Sequence, residues 1–245
     1  MTFARPGDDA PGPLLAQGRD AAVFDLGDGR VLRRYLDAAR SSEDEARVMA
    51  HLADHGYPVP AVLDALGPDL VMRRVDGPTM LEDIGRRPWR LERHARTLAD
   101  LHDRLHRVPV PAGLRAPFDG SEAVIHLDLH PANVLLARTG PVVIDWTNTA
   151  AGPAALDVAQ TWLLLATSEI PAHGTTRRVL ALGRRVFLAR LLARLDRRAA
   201  ARLLSLAAQL RRLDPNVTAA EHRQVDRLLA RLGAAREGPG TVRPG

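Results

Sequence analysis

The hydrophobic pattern changes period once along the chain. From Leu14 to Val75 the apolar positions come in short runs broken by Gly, Pro and Asp, the spacing of strands. Residues 22–26 and 30–36 flank Gly27-Asp28-Gly29, a hairpin turn in which Gly supplies the positive φ. Residues 43–54 depart from this rhythm, because Ala46, Met49, Ala50 and Ala53 recur at helical spacing. Residues 61–65 and 69–75, separated by Gly67-Pro68, read as two further strands. This stretch therefore predicts five strands with one inserted helix.

After Asp76-Gly77-Pro78 the pattern becomes helical. Thr79 with Glu82 three residues on predicts a capping box. Residues 88–106 are amphipathic, with Leu91, Ala95, Leu98, Leu101 and Leu105 on one side. A Pro-rich break at 108–111 precedes two short apolar strands, 123–127 and 142–144, around a polar loop. Beyond Pro153 the chain reads as helix to Leu232, with Gly233 as the stop. The expected organisation is a disordered lead-in (1–13), a small β-rich lobe (14–75), a larger α-rich lobe (76–235) and a flexible tail (236–245).

Composition narrows the function classes. Cysteine is absent, which excludes disulfides, thiolate metal sites and a cysteine nucleophile. No apolar run approaches the roughly 18–20 residues that span a bilayer, and the first residues lack the apolar stretch of a signal peptide. A cytoplasmic location with no membrane partner is the expectation. All 34 basic residues are Arg. They are unevenly placed: residues 1–157 hold 18 Arg against 23 acids, whereas residues 158–245 hold 16 against 6.

Chemistry concentrates between Val124 and Asp145. Asp128, Asn133 and Asp145 emerge where apolar strands end, and an acid–amide–acid set of oxygens suits a hard cation such as Mg²⁺. Phosphoryl transfer needs little more than such a cation, a carboxylate to orient the acceptor hydroxyl, and in-line positioning. The order His126-x-Asp128-x-x-x-x-Asn133, then Val-Val-Ile-Asp145, resembles the catalytic and metal motifs of protein-kinase-like enzymes. In its form His-Leu-Asp-Leu-His-Pro-Ala-Asn it is similar to the aminoglycoside phosphotransferase and choline kinase superfamily, from about Leu14 to about Ala159. That resemblance implies an α+β, two-lobed protein-kinase-like fold with a small antiparallel sheet lobe and a larger helical lobe. It also implies ATP and Mg²⁺ as cofactors, a small hydroxyl-bearing substrate, Asp128 as base, and Asn133 and Asp145 as metal ligands. His130 falls where protein kinases place a Lys facing the γ-phosphate, and Asp157 would brace the catalytic loop from a helix.

The N-terminal lobe matches less closely. Gln17-Gly18-Arg19-Asp20 resembles the phosphate-covering loop but has one Gly where protein kinases have three, so a simple hairpin turn is the alternative. Glu45 fits the helix carboxylate that pairs with a third-strand Lys. That Lys is missing, and Arg33 holds its place, with Arg34 as the neighbouring possibility. In a chain without Lys, retention of Asp128, Asn133 and Asp145 favours working chemistry over a non-catalytic nucleotide-binding protein.

Other constellations count for less. His102-Asp-Arg-Leu-His106 resembles a zincin pair, but at the end of an amphipathic helix with no evident third ligand it reads as a solvated face. His126 and His130 as metallohydrolase ligands would leave Asn133 without a role. The Arg-rich helices read as amphipathic rather than as a nucleic-acid surface. Trp146 stands where protein kinases have Phe, with no Gly after it and no evident Ala-Pro-Glu segment, which argues against a protein substrate. The basic back half points to a neutral or anionic acceptor rather than an aminoglycoside.

Overall fold

The computed structural model describes residues 12–18, 20–120, 122–168, 173–213 and 217–233. The expected lead-in, up to residue 11, and the tail from residue 234 lie outside the described residues. The N-terminal sheet contains β1 (Leu14–Gln17), β2 (Ala21–Gly27), β3 (Arg30–Tyr35), β4 (Val62–Leu66) and β5 (Asp69–Arg73). Its order is β1-β2-β3-β5-β4, with every neighbouring pair antiparallel. Helix α1 (Glu43–Asp54) begins with three acids in its first turn, where the helix dipole favours negative charge. It buries Val48, Met49 and Leu52.

The hinge between lobes is a strand-like strip rather than a free loop. Leu136 N–H donates to Pro78 O at 2.9 Å, and Thr79 bridges Leu135. Gly77 has φ +154°, and a Cβ there would lie 2.3 Å from Leu136 O, so only Gly permits this approach. Thr79 then caps α2 (Met80–Arg86) in a capping box with Glu82, as the sequence predicts.

A turn of 3-10 helix at Pro88–Arg90 leads into α3 (Leu91–Leu105). Leu98, Leu101 and Leu105 are almost wholly buried, and each stabilises the fold by about 1.5–3 kcal/mol through burial. Between α3 and the last helices lie β6 (Ala123–Ile125), β7 (Val134–Ala137), β8 (Gly140–Val143) and β9 (Ala150–Gly152). The sequence reading expected two strands here. The structure has four, because β6 pairs with β9 and β7 with β8. β9 is the three-residue Ala-Ala-Gly, too short and small to register as an apolar run.

Among the described residues four helices follow: α4 (Ala154–Thr167), α5 (Gly174–Leu192), α6 (Arg197–Leu213) and α7 (Ala219–Leu232). Gly233 ends α7 in the left-handed conformation, φ +67°. α4 is buried nearly throughout and packs against α5, α6 and α7. The hydrophobic interior forms two clusters. One runs from α1 and β5 through α3 to Val143 and Trp146; the other surrounds α4, Phe118 and Leu204. Among the described residues no helix is long and apolar enough to cross a membrane.

Candidate active site

The loop from His126 to Asn133 leaves β6 with Leu127 at φ +65°, a conformation costly for a residue with a side chain. Asp157, on α4, holds that turn by accepting the Leu127 N–H at 2.7 Å. The bracing expected of Asp157 is thus present. His126 is fully buried. Its Nδ1 accepts the Asp128 N–H at 3.2 Å, which puts the ring proton on Nε2, 3.1 Å from Ile144 O. One imidazole therefore ties the backbone of Asp128 to the segment carrying Asp145, while its ring lies 4.6 Å from that of Trp146.

Asp128 faces the cleft with a side chain 23% exposed. Asn133 Nδ2 donates to its carbonyl at 2.9 Å and to Oδ2 at 3.0 Å. His130 Nδ1 accepts from Ala132 N–H, so Nε2 carries the proton and stands 3.5 Å from Asp128 Oδ1. Burial acts to raise the Asp128 pKa, but the His130 ring and the Asn133 amide outweigh it. The carboxyl is held below its usual range and stays ionised at neutral pH. The Asn133 amide nitrogen is committed to Asp128, which leaves its carbonyl oxygen out of these bonds.

Asp145 follows β8, also with a positive φ (+66°). Its Oδ1 accepts from Arg33 Nη2 and from Thr147 Oγ1, each at 2.9 Å. The Asp145 side chain remains 43% exposed. Arg33 sits between Val23 and Leu70 in the sheet register and is 8% exposed. Its second nitrogen, Nη1, donates to Glu45 Oε2 at 2.7 Å. Arg34, on the opposite face, is bound instead to Asp69 through two nitrogens at 2.6 and 2.7 Å. Strand alternation thus turns Arg33, and not Arg34, towards Glu45 and Asp145.

Glu45 also accepts from the Tyr35 hydroxyl and from Trp146 N–H. Burial raises its pKa, opposed chiefly by the Arg33 charge. Two members of this network escaped sequence reasoning. Thr147 accepts from Arg33 Nη2 at 2.6 Å while donating to Asp145, and the Tyr35 ring lies 4.7 Å beneath the Arg33 guanidinium. A hydroxyl two residues after the metal-motif Asp is a local turn pattern that could have flagged Thr147. Nothing in the sequence flags Tyr35.

A cavity of about 1920 Å³ between the lobes joins these groups: Gly18, Arg33, Glu45, Asp128, His130, Asn133 and Asp145 all line it. Gly18 lies in the β1–β2 turn, where its N–H donates to Ala21 O at 2.9 Å; a Cβ there would meet only ordinary contacts. The hairpin reading of this Gly is adequate without any steric demand for it.

One expectation fails. His102 and His106 do not form a solvated face, because α3 turns that side towards α4: His102 is fully buried and the His106 side chain is 12% exposed. Asp157 Oδ2 lies 3.4 Å from His102 Nδ1 and 3.0 Å from His106 Nε2. The third potential donor that the local sequence lacks comes from a residue 51 positions beyond His106.

The sequence profile of the APH phosphotransferase enzyme family matches residues 12–122 and 111–190. The chain belongs to this family. The solved structure of APH(2")-IIia with GDP and kanamycin superposes with a TM-score of 0.58 at 16% identity, covering 94% of this chain and 95% of that one. The choline kinase LicA from Streptococcus pneumoniae gives 0.56 at 13% identity, covering 92% and 93%. The amicoumacin kinase hAmiN, solved with AMP-PNP and Ca²⁺, gives 0.54 at 12% identity, covering 92% and 88%. At such identities the likeness establishes the fold: a protein-kinase-like α+β architecture. No curated protein matches the chain in sequence.

Proposed function

We propose that this phosphotransferase moves the γ-phosphoryl group of ATP to a hydroxyl of a small neutral or anionic molecule. The observation that carries this reading is Asp128: an ionised carboxylate, oriented by Asn133 and His130, opening onto the same cavity as Asp145. Asp128 accepts the proton of the acceptor hydroxyl as its oxygen bonds to phosphorus and the bond to the departing ADP breaks. His130 Nε2–H keeps that carboxylate turned to the cleft. Asn133 Oδ1 and the exposed side of Asp145 fit Mg²⁺, whose preference is for oxygen, and the ion when bound neutralises phosphate charge. Arg33 supplies a fixed positive charge and positions Asp145, with Glu45 as its counter-charge. In this reading residues 14–75 form the nucleotide-binding lobe and residues 76–235 the catalytic and substrate lobe.

The acceptor class follows from charge. The part of the cavity lining built by residues 115 onward carries Arg115 and Arg211 beside Asp128 and Asp145, whereas Asp20, Glu45, Asp76 and Glu82 line the part built by earlier residues. On the segments after residue 115 a polycationic acceptor would meet two Arg and no acid beyond Asp128 and Asp145, which weakens its binding on that side. A second reading, a nucleotide binder without transfer, is favoured by the bond from Arg33 to Asp145 Oδ1.

Asp128→Asn separates the two. Transfer across a panel of sugars, amino alcohols and hydroxy acids is expected to fall by about 10²–10⁴-fold. Thermal stabilisation by ATP and Mg²⁺ should persist, because nucleotide binding does not need the base. Transfer that survives in the variant sinks the assignment of the base. Stabilisation by ATP with no transfer to any acceptor by the parent protein selects the second reading, and efficient phosphorylation of kanamycin-type compounds overturns the acceptor class.

A further inference from the structure

The His102–His106–Asp157 cluster lies behind the catalytic loop, outside the transfer chemistry. Asp157 is fully buried, and its Oδ2 faces two imidazoles. A buried carboxylate requires a positive partner. No Arg is paired with it among the described residues; only the two imidazoles are.

The protons on His102 can be assigned from its neighbours. Thr161 Oγ1 has one hydrogen and gives it to Leu129 O at 2.7 Å. The same oxygen lies 3.2 Å from His102 Nε2, so Nε2 must be the donor in that contact. With Nε2 donating to Thr161, it is Nδ1 that faces Asp157 Oδ2. His102 Nδ1 is fully buried and has no hydrogen-bond partner. The separation, 3.4 Å, leaves the two atoms without a hydrogen bond between them. It matches the edge between two ligands of a tetrahedral Zn²⁺, which is about 3.3–3.4 Å for bonds of roughly 2.0–2.1 Å. His106 Nε2, at 3.0 Å from the same oxygen, closes a second, slightly compressed edge.

We propose that His102 Nδ1, His106 Nε2 and Asp157 Oδ2 form a binding site for one divalent cation of the Zn²⁺ class. Two imidazoles and a carboxylate select such an ion over Mg²⁺, which suits the all-oxygen set at Asn133 and Asp145. The outer contacts are in place: His102 Nε2–H is fixed by Thr161, and Asp157 Oδ1 by the Leu127 N–H. The partly exposed His106 marks the side of entry. The ion would tie α3 to α4 and, through Asp157, hold the strained turn at Leu127.

The test uses the untagged full chain with excess Mg²⁺ present to occupy the oxygen site. Metal content after purification is measured directly. Co²⁺ is then titrated into chelator-treated protein and followed by visible absorption, where tetrahedral nitrogen–oxygen coordination gives an intense band. One equivalent is expected, and Zn²⁺ should displace it and raise the unfolding temperature of the parent protein. His106→Gln, chosen because its side chain reaches the surface, should weaken Co²⁺ binding by more than about 100-fold, beyond the 10–100-fold loss typical of outer contacts. His55→Gln is the control. It breaks the exposed His51–His55 pair at the C-terminal end of α1, whose rings lie 4.3 Å apart. An unchanged band in His106→Gln, its loss in His55→Gln, or no metal bound by the parent protein overturns the proposal. None of these readouts depends on kinase turnover.

Discussion

Replacing Arg33 with Met leaves the Glu45 carboxylate buried without its cation, and the cost can be worked from the bonds removed. Arg33 and Glu45 are bonded at 2.7 Å, and their side chains are 9% and 4% exposed. Removing one partner of a buried pair costs about 3–5 kcal/mol. The Tyr35 hydroxyl and Trp146 N–H still serve Glu45. Asp145, at 43% exposure, loses an ion pair of the partly solvated kind, about 0.2–1 kcal/mol. The low end therefore applies: about 3 kcal/mol near neutral pH. Glu45 has one other outlet, which is to take up a proton. Burial already raises its pKa and Arg33 opposes the rise, so removing Arg33 drives the folded pKa further up. A carboxyl whose folded pKa exceeds its unfolded value adds stability at low pH and loses it as pH rises through the folded value. The penalty should accordingly shrink on acidification, by up to about 1.4 kcal/mol per pH unit that the substitution adds to the folded pKa. Urea unfolding at about pH 8 and about pH 5, for Arg33→Met, Glu45→Gln and the double variant, measures all three quantities. The double variant should recover at least about 1.5 kcal/mol over additivity, because it removes the charge pair whole. A single-variant cost under about 1 kcal/mol, equal at both pH values and additive in the double variant, refutes the buried-pair account.

Thr147→Val keeps the side-chain shape but removes the hydroxyl shared by Arg33 and Asp145. A loss of about 1–2 kcal/mol in urea unfolding is expected, since two polar partners lose one bond each; a change under about 0.3 kcal/mol would show that water replaces the hydroxyl freely. Asp83 is held down to about 2, by His94 first and then by Arg87 and Arg90. With its folded pKa depressed, its contribution is complete above the ordinary value of 3.8 and disappears as pH falls through 2. Asp83→Asn should therefore flatten the acid limb of stability between those values, measured by helix content against urea; an unaltered slope contradicts the ion network.

The elements that sequence alone made legible are those whose signal is local. α1 begins and ends where its periodicity does, at Glu43 and Asp54. The Thr79–Glu82 box caps α2 as spelled in the chain. His126, Asp128 and Asn133 interact within one loop, so their spacing already encodes their geometry. What stayed hidden depends on pairing across distance. β9 exists because Ala150–Gly152 lies against β6, and three small residues have no pattern of their own. Arg33 and Arg34 are adjacent and chemically identical, and only the register with Val23 and Leu70 decides which one turns towards Glu45.

The His102–His106 pair shows the same limit most sharply. Helical spacing places two imidazoles on one side of α3, but the side that faces solvent is set by α4, a segment some fifty residues further along. Counting polar groups on an amphipathic helix assigns both to water. Packing instead buries them against Asp157, in a position where the backbone of the catalytic loop consumes one carboxylate oxygen and leaves the other to the imidazoles. The assignment of a proton to His102 Nε2 there rests on a single hydrogen, that of Thr161, already given to Leu129 O. No arrangement of residue types along the chain encodes that choice; it follows from which acceptor lies nearer the hydroxyl once α4 has docked.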